Sequence, residues 1–499
     1  ALQVFAGSVA EFGNLVASGS KSFLEFHTPT MGYAALAGVS ASSGGEVLLS
    51  TSLNLGGNTL NAASFADSSS LLTLEGTVSN GSLAVTPRMN FGNVTFTNLS
   101  FVGDTTLLTS THRFNTNTHT GATFYFGPNV SFSHGSTLTL PVGTMTFLAD
   151  TAGQPRVIDK LNIQIGGAAL SSANTDLTFG PGAVVTAYKS SFANSIASLF
   201  PSGALINQGT INASAWPLRI TSGGSVENDG VITDGANGQL QIGVGGSNGT
   251  MPFTNNGSLH LGPSHSGQFA FGVSTLRAGT ITNTGTIDSG FGTPGTIQSR
   301  GGFGNYEGVI RASTFNMMAG KFTNNGLSAG AMDQTGGVVD GVGLFTGNYH
   351  LEGGTLDPGA GTSHLGGLAI SGDLNATGGI MAFDLTSGTR VSGYTALDVG
   401  SLGIGNSQID VTFDSPFFAT LQPGAHFDLI DYYTRDDSNL PALAVNEPGN
   451  FALSDVPDGN GGGILRLTYE SSVPEPATVG LLALAGTSCL ARRGRRKGT

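Results

Sequence analysis

Charged side chains are scarce in this chain. They make up 10% of its 499 residues, against about 25% in an ordinary globular protein. Amphipathic surface helices need a charged face, so a helix-rich architecture is disfavoured. Lysine is nearly absent before the last few residues. Setting aside residues 473–499, with five basic residues and Glu475, leaves 14 basic and 31 acidic residues, a balance of −17. Nucleic acid and anionic membrane both require a basic surface, so neither suits such a body. Cysteine is limited to Cys489, inside that same terminal stretch, so no disulfide staples the body. The start, Ala1-Leu2-Gln3, has neither an initiator Met nor the charged n-region of a secretory leader.

Glycine, by contrast, is abundant, at 78 residues, and 39% of the chain is apolar. That apolar content with low charge density opposes disorder. Gly, Thr, Ser and Asn between short apolar alternations point to strands and turns. Residues 46–49, 53–55, 71–74, 94–96 and 138–140 read as short strands. Residues 190–200 are the one stretch with a few turns of helical pattern, stopped by Pro201.

The terminal stretch has three parts. Val473, Pro474, Glu475 and Pro476 come first, then an uncharged run over 477–491, then Arg492, Arg493, Arg495, Arg496 and Lys497. The two prolines keep Glu475 on an extended segment. As a helix the run spans roughly 22 Å, against about 30 Å of hydrocarbon core. The basic residues would hold the C-terminus on the cytoplasmic side and the body on the other. The layout resembles the PEP-CTERM sorting signal of Gram-negative envelope proteins. That resemblance implies processing by an exosortase-type membrane protease, and an N-terminal leader removed or lying outside this sequence. A plain tail anchor without processing is the alternative.

Between 205 and 328 a frame recurs: apolar-x-Asn-x-Gly-x-apolar. It is intact at Leu205, Asn207, Gly209, Ile211; at Val226, Asn228, Gly230, Ile232; at Phe253, Asn255, Gly257, Leu259; and at Ile281, Asn283, Gly285, Ile287. Two degenerate copies follow, at Phe303, Asn305, Glu307, Val309 and at Phe322, Asn324, Gly326, Ser328. Successive Asn positions advance by 21, 27, 28, 22 and 19 residues, the size of one solenoid coil. Alternate positions share one strand face, so the frame would face inward and align Asn on Asn. Asn and Gly would also mark a turn, both tolerating left-handed backbone. The pattern resembles the Asn-x-Gly-Thr-Ile coils of autotransporter and haemagglutinin-type passengers, which implies a right-handed parallel β-helix. The competing reading is Asn-Gly hairpins in antiparallel sheets.

The expected architecture is therefore all-β. A β-solenoid covers 1–350, a C-terminal β module (sandwich or cap) covers 351–472, and a sorting segment covers 473–499 with one transmembrane helix at 477–491. The module opens on Gly353, Gly354, Thr355, Leu356, Asp357, Pro358 and Gly359. Strand-like runs follow at 368–370, 380–385, 396–399, 409–413, 427–430 and 464–469. A cap is physically required, since an open solenoid end exposes strand edges.

Catalytic chemistry is thinly represented. Nine histidines are scattered, without metal-ligand spacing or a His-Glu-x-x-His motif. Gly245-Gly246-Ser247-Asn248-Gly249 matches a nucleophile elbow but lies in a Gly/Ser/Asn loop. Acids at Asp229, Asp234, Asp288 and Glu307, with Arg219, Arg277, Arg300 and Arg311, are the candidates for a polysaccharide lyase or glycosidase. Asp455, Asp458 and Asn460 form a weak calcium pattern without EF-hand spacing, for which a tight turn is the alternative. The expectation is a non-enzymatic surface or matrix protein with no cofactor or metal. Its partners would be an exosortase and extracellular polysaccharide, not nucleic acid. A carbohydrate-active enzyme and an ice-binding rod, suggested by Thr282, Thr284 and Thr286, are the alternatives.

Overall fold

The computed structural model describes residues 2–471, leaving aside 6–12, 21, 110–121, 150–153, 190–195, 214, 235–238, 244–250, 261–274, 284, 289–308, 325–326, 360–364, 436–438 and 460. Side chains at 108–109, 275, 277, 279–280, 288, 309–314 and 329 are likewise left aside. The chain divides into two compact units, the second running mainly from Asn348 onward.

In the first unit, strands stack in parallel on the strand one coil earlier. Leu2–Phe5 pairs with Phe23–His27, which pairs with Glu46–Asn54 and through it with Leu71–Ala84 and Met89–Phe101. Three parallel stacks become regular further on. One runs through Leu177–Phe179, Leu205–Asn207, Val226–Asn228, Phe253–Asn255 and Thr275–Asn283. Past a corner, a second runs through Val184–Ala187, Thr210–Asn212, Val231–Thr233, Ser258–His260 and Thr286–Asp288. A third joins Ala197–Leu199, Leu218–Ile220 and Leu240–Ile242. Parallel pairing needs a crossover of a dozen or more residues, and one coil supplies it.

This register overturns the hairpin reading of the Asn-Gly corners, because the strands on both sides of Gly209 pair in parallel with the next coil. It also corrects the strand lengths. Runs read as three or four residues belong to strands such as Glu46–Asn54, Leu71–Ala84, Met89–Phe101 and Thr137–Leu148. Gly76 and Gly143, at φ +90° and +103°, bend Leu71–Ala84 and Thr137–Leu148 respectively without ending their pairing, a conformation L side chains avoid. Within 190–200, the residues Ala197–Leu199 are strand, not helix.

The interior is lined in register. Phe96, Phe126 and Phe147 occupy one row of paired strands, with ring centroids 5.3 and 5.0 Å apart. All three are fully buried. Such burial stabilises by about 1.5–3 kcal/mol per side chain before entropy is counted.

In the second unit all six sequence-predicted runs lie in strands. Gly367–Ala376, Ala396–Ile404 and His426–Arg435 stack in parallel, as do Ile380–Leu385, Gln408–Phe413 and Ala442–Val445. An antiparallel hairpin, Asn450–Pro457 and Gly463–Ser471, then lays its second strand against His426–Arg435. That pairing covers an edge the parallel stack would otherwise present. From the hairpin, Phe451 and Tyr469 pack onto Phe413 and Phe418, with Phe413–Phe451 stacked at 5.4 Å and Phe418–Tyr469 edge-on at 5.7 Å.

Candidate functional site

The recurring frame builds an internal corner. Leu205, Ile211, Val226, Ile232, Leu259, Ile281 and Ile287 are fully buried, and so are Asn207, Asn228, Asn255 and Asn283. The side-chain amide of Asn207 donates to Asn228 Oδ1 at 2.8 Å, Asn228 to Asn255 at 2.7 Å, and Asn255 to Asn283 at 2.7 Å. Each amide also donates to a carbonyl just past the next corner: Val231, Ser258 and Thr286 at 3.1, 3.0 and 3.0 Å. The ladder begins beneath Phe179, which stacks on Asn207 in register and leaves Asn207 Oδ1 without a partner. It ends at Met317, whose Sδ accepts from Asn283 at 3.2 Å.

That ending corrects the two degenerate copies. Phe315 pairs with Ile281, Met317 with Asn283 and Phe322 with Ile287. The next coil therefore reads Phe315, Met317, Phe322, and Phe322 closes the frame where the sequence had it opening one. Val309 pairs with Thr275, also out of frame, while Phe303 and Asn305 lie outside the described residues. A thioether took the asparagine position, so the motif was invisible there.

The reason for glycine also differs from the expected one. Gly209, Gly230, Gly257 and Gly285 have no left-handed φ. A Cβ on Gly230, Gly257 or Gly285 would instead sit 2.1 Å from the carbonyl oxygen of the glycine one coil earlier. The corners touch, and only hydrogen fits.

A second asparagine ladder, missed in the sequence, runs along an outward corner. Asn80 Nδ2 donates to Asn54 Oδ1 at 3.3 Å, Asn98 to Asn80 at 3.2 Å and Asn129 to Asn98 at 2.8 Å. Asn80, Asn98 and Asn129 hold φ of +58°, +47° and +57°, so here asparagine does serve its left-handed tolerance. Ser100 and Ser131, two residues past Asn98 and Asn129, are 2.9 Å apart. The available signal was Asn-x-Ser at 80, 98 and 129, hidden by spacings of 18 and 31 residues.

Among the described side chains, the candidate acids and arginines sit on separate parts of the stack. Asp229 Oδ1 accepts from Asn256 at 2.8 Å on one corner, while Arg219 donates to Gln241 on another stack. Asp234 is buried. Arg277 and Arg311 pair through their backbones, and Asp288 pairs with His260 and Thr323. Arg300, Glu307 and Ser247 lie outside the described residues. Among the described residues no group of three His, Cys, Asp or Glu is placed to hold a metal ion. His27 contacts Glu25 at 2.8 Å and stacks on Phe5. The Asp455–Asp458 stretch enters the hairpin turn, where Asp458 Oδ1 accepts the Gly462 N–H at 3.0 Å. Asp455 is taken up by Arg435, at 2.7 Å, and by the Tyr432 hydroxyl.

Those contacts clip the hairpin to the stack beneath, as does Arg466 with Asp428 at 2.6 Å. Burial, reinforced by Asp455, pushes the Tyr432 phenol up to about 12. An unfolded tyrosine ionises near 10. The contribution is thus fully present below about 10 and lost as pH rises towards 12. We expect the urea midpoint to fall over that window, and to fall less in Tyr432→Phe.

The hairpin leads straight into the terminal stretch, its last strand ending at Ser471. Residues 472–497 match the PEP-CTERM protein-sorting motif. The match contains Val473, Pro474, Glu475 and Pro476 together with Arg492, Arg493, Arg495, Arg496 and Lys497. A PEP-CTERM motif points to an exported, surface-sorted protein processed by an exosortase-type enzyme. No curated protein matches the chain. The 477–491 segment lies outside the described residues, among which no helix is long and apolar enough to cross a membrane.

Proposed function

We propose that this chain is a non-enzymatic structural or adhesive protein of the cell surface or extracellular matrix. Its body would be a right-handed parallel β-helix, delivered and trimmed through its PEP-CTERM segment. The observation that carries the reading is positional: the sorting match begins at residue 472, directly after the strand that closes the folded body. A body without disulfides needs another source of cohesion outside the cell. Coil-on-coil backbone pairing, the buried amide ladder and the Phe rows supply one. The non-catalytic reading is supported by Asp229 and Arg219 being engaged on different stacks.

The test is Glu475→Ala expressed in the native host. The expected outcome is at least tenfold accumulation of chain that keeps its basic C-terminus, with matching loss from the surface and medium. Unchanged processing and surface display would sink the proposal.

A further inference from the structure

We propose that the outward corner carrying Asn54, Asn80, Asn98 and Asn129, together with Tyr125, binds a neutral polysaccharide laid along the stacking direction. The inference deepens the matrix reading and rests on it for biological context.

Four observations converge on this surface. Its functional groups are amides and hydroxyls, which both donate to and accept from sugar hydroxyls. The ladder positions bear no charge, although the chain carries −13 overall. A polyanion would be repelled by the acidic body, and a cationic polymer would find no carboxylate among the ladder residues.

The groups are also held in place before any ligand arrives. Amide-to-amide bonds of 3.3, 3.2 and 2.8 Å join the four asparagines, and Ser100 and Ser131 are 2.9 Å apart. Three of the backbones are fixed in the left-handed region. Side chains already ordered lose little entropy on binding.

Tyr125 stands on the coil that carries Asn129, 38% exposed, with its strand paired to 94–96 on one side and Thr144–Phe147 on the other. A tyrosine offers an apolar ring face and a polar tip, which suits the C–H face and hydroxyls of a sugar. Finally, the groups repeat at the strand spacing of ~4.8 Å. A linear polymer can therefore make the same weak contact on successive coils, and such contacts multiply.

The test is native affinity electrophoresis of the purified full chain in gels containing hydroxyethyl cellulose, mixed-linkage β-glucan or dextran, with alginate as the polyanionic comparison. The expected result is retardation by at least one neutral glycan and none by alginate. Tyr125→Ala and Asn98→Gly should each raise the dissociation constant about tenfold. Glycine accepts φ +47° without strain, so the corner survives while the amide is lost. Tyr433→Ala, removing a tyrosine 52% exposed in the second unit, should change nothing. Absence of retardation, equal retardation by alginate, or insensitivity to the Tyr125 substitution would overturn the proposal. Should Asn98→Gly misfold, Tyr125→Ala decides alone. The assay needs no export, so its failure is distinguishable from failure of the Glu475 experiment.

Discussion

Replacing Asn255 with alanine is expected to destabilise the chain by about 3 kcal/mol, whereas the same change at its neighbour Asn256 stays within about 0.5 kcal/mol. The two residues are adjacent in the sequence, yet Asn255 is fully buried and Asn256 exposed. Asn255 accepts from Asn228 at 2.7 Å and donates to Asn283 Oδ1 at 2.7 Å and to the Thr286 carbonyl at 3.0 Å. Its removal leaves Asn283 Oδ1 without that donor in a fully buried corner. Each orphaned buried group costs about 1–3 kcal/mol. Asn228 keeps its bond to the Ser258 carbonyl, which caps the loss. Because stacked coils contact mainly their neighbours, the damage should be local. Hydrogen exchange should accelerate first in 226–232 and 281–287. Equal effects at Asn255 and Asn256 would show that the ladder contributes no stability.

Gly257→Ala should destabilise by about 3 kcal/mol, at the upper end for inserting one methyl into a packed site. The new Cβ would stand 2.1 Å from the Gly230 oxygen and 2.7 Å from the Asp229 carbonyl carbon, both backbone atoms that cannot rotate away. Gly57→Ala separates this mechanism from backbone strain. Gly57 has φ +86° and nothing within 4 Å of a built Cβ, so its cost is strain alone, about 1 kcal/mol. Urea midpoints of the two variants give the comparison. A Gly257 variant no worse than the Gly57 variant would mean the corners are not in contact.

These two sites also show how far the sequence could be read. The four intact frames were legible because inward positions alternate, and alternation survives in any strand whose other face is wet. The true function of their glycines was not, since a glycine chosen for left-handed φ and one chosen for close approach look identical in a sequence. The degenerate copies failed for a related reason. Phe315 and Met317 satisfy the corner with apolar volume, so the frame continued without its marker residues. Long strands such as Leu71–Ala84 were read short because an internal glycine bends the chain without breaking the ladder.

The outward ladder of Asn54, Asn80, Asn98 and Asn129 lay beyond sequence reasoning because its coils differ in length, and only the pairing register brings the four together. In the second unit all six anticipated runs are strands, but Ala442–Val445 and the first hairpin strand, Asn450–Pro457, were not anticipated. Nor was the continuing parallel stack, closed by one antiparallel hairpin. Runs of alternating apolar residues look the same in either sense of pairing.

The central claim is that a stacked-strand body is exported and then released from its terminal segment, and intact mass spectrometry of the native protein from cell envelope and medium tests it most directly. The account predicts a polypeptide whose C-terminus falls within 473–476, with the uncharged run and its basic tail gone. A protein that retains Arg492 through Lys497 would contradict it.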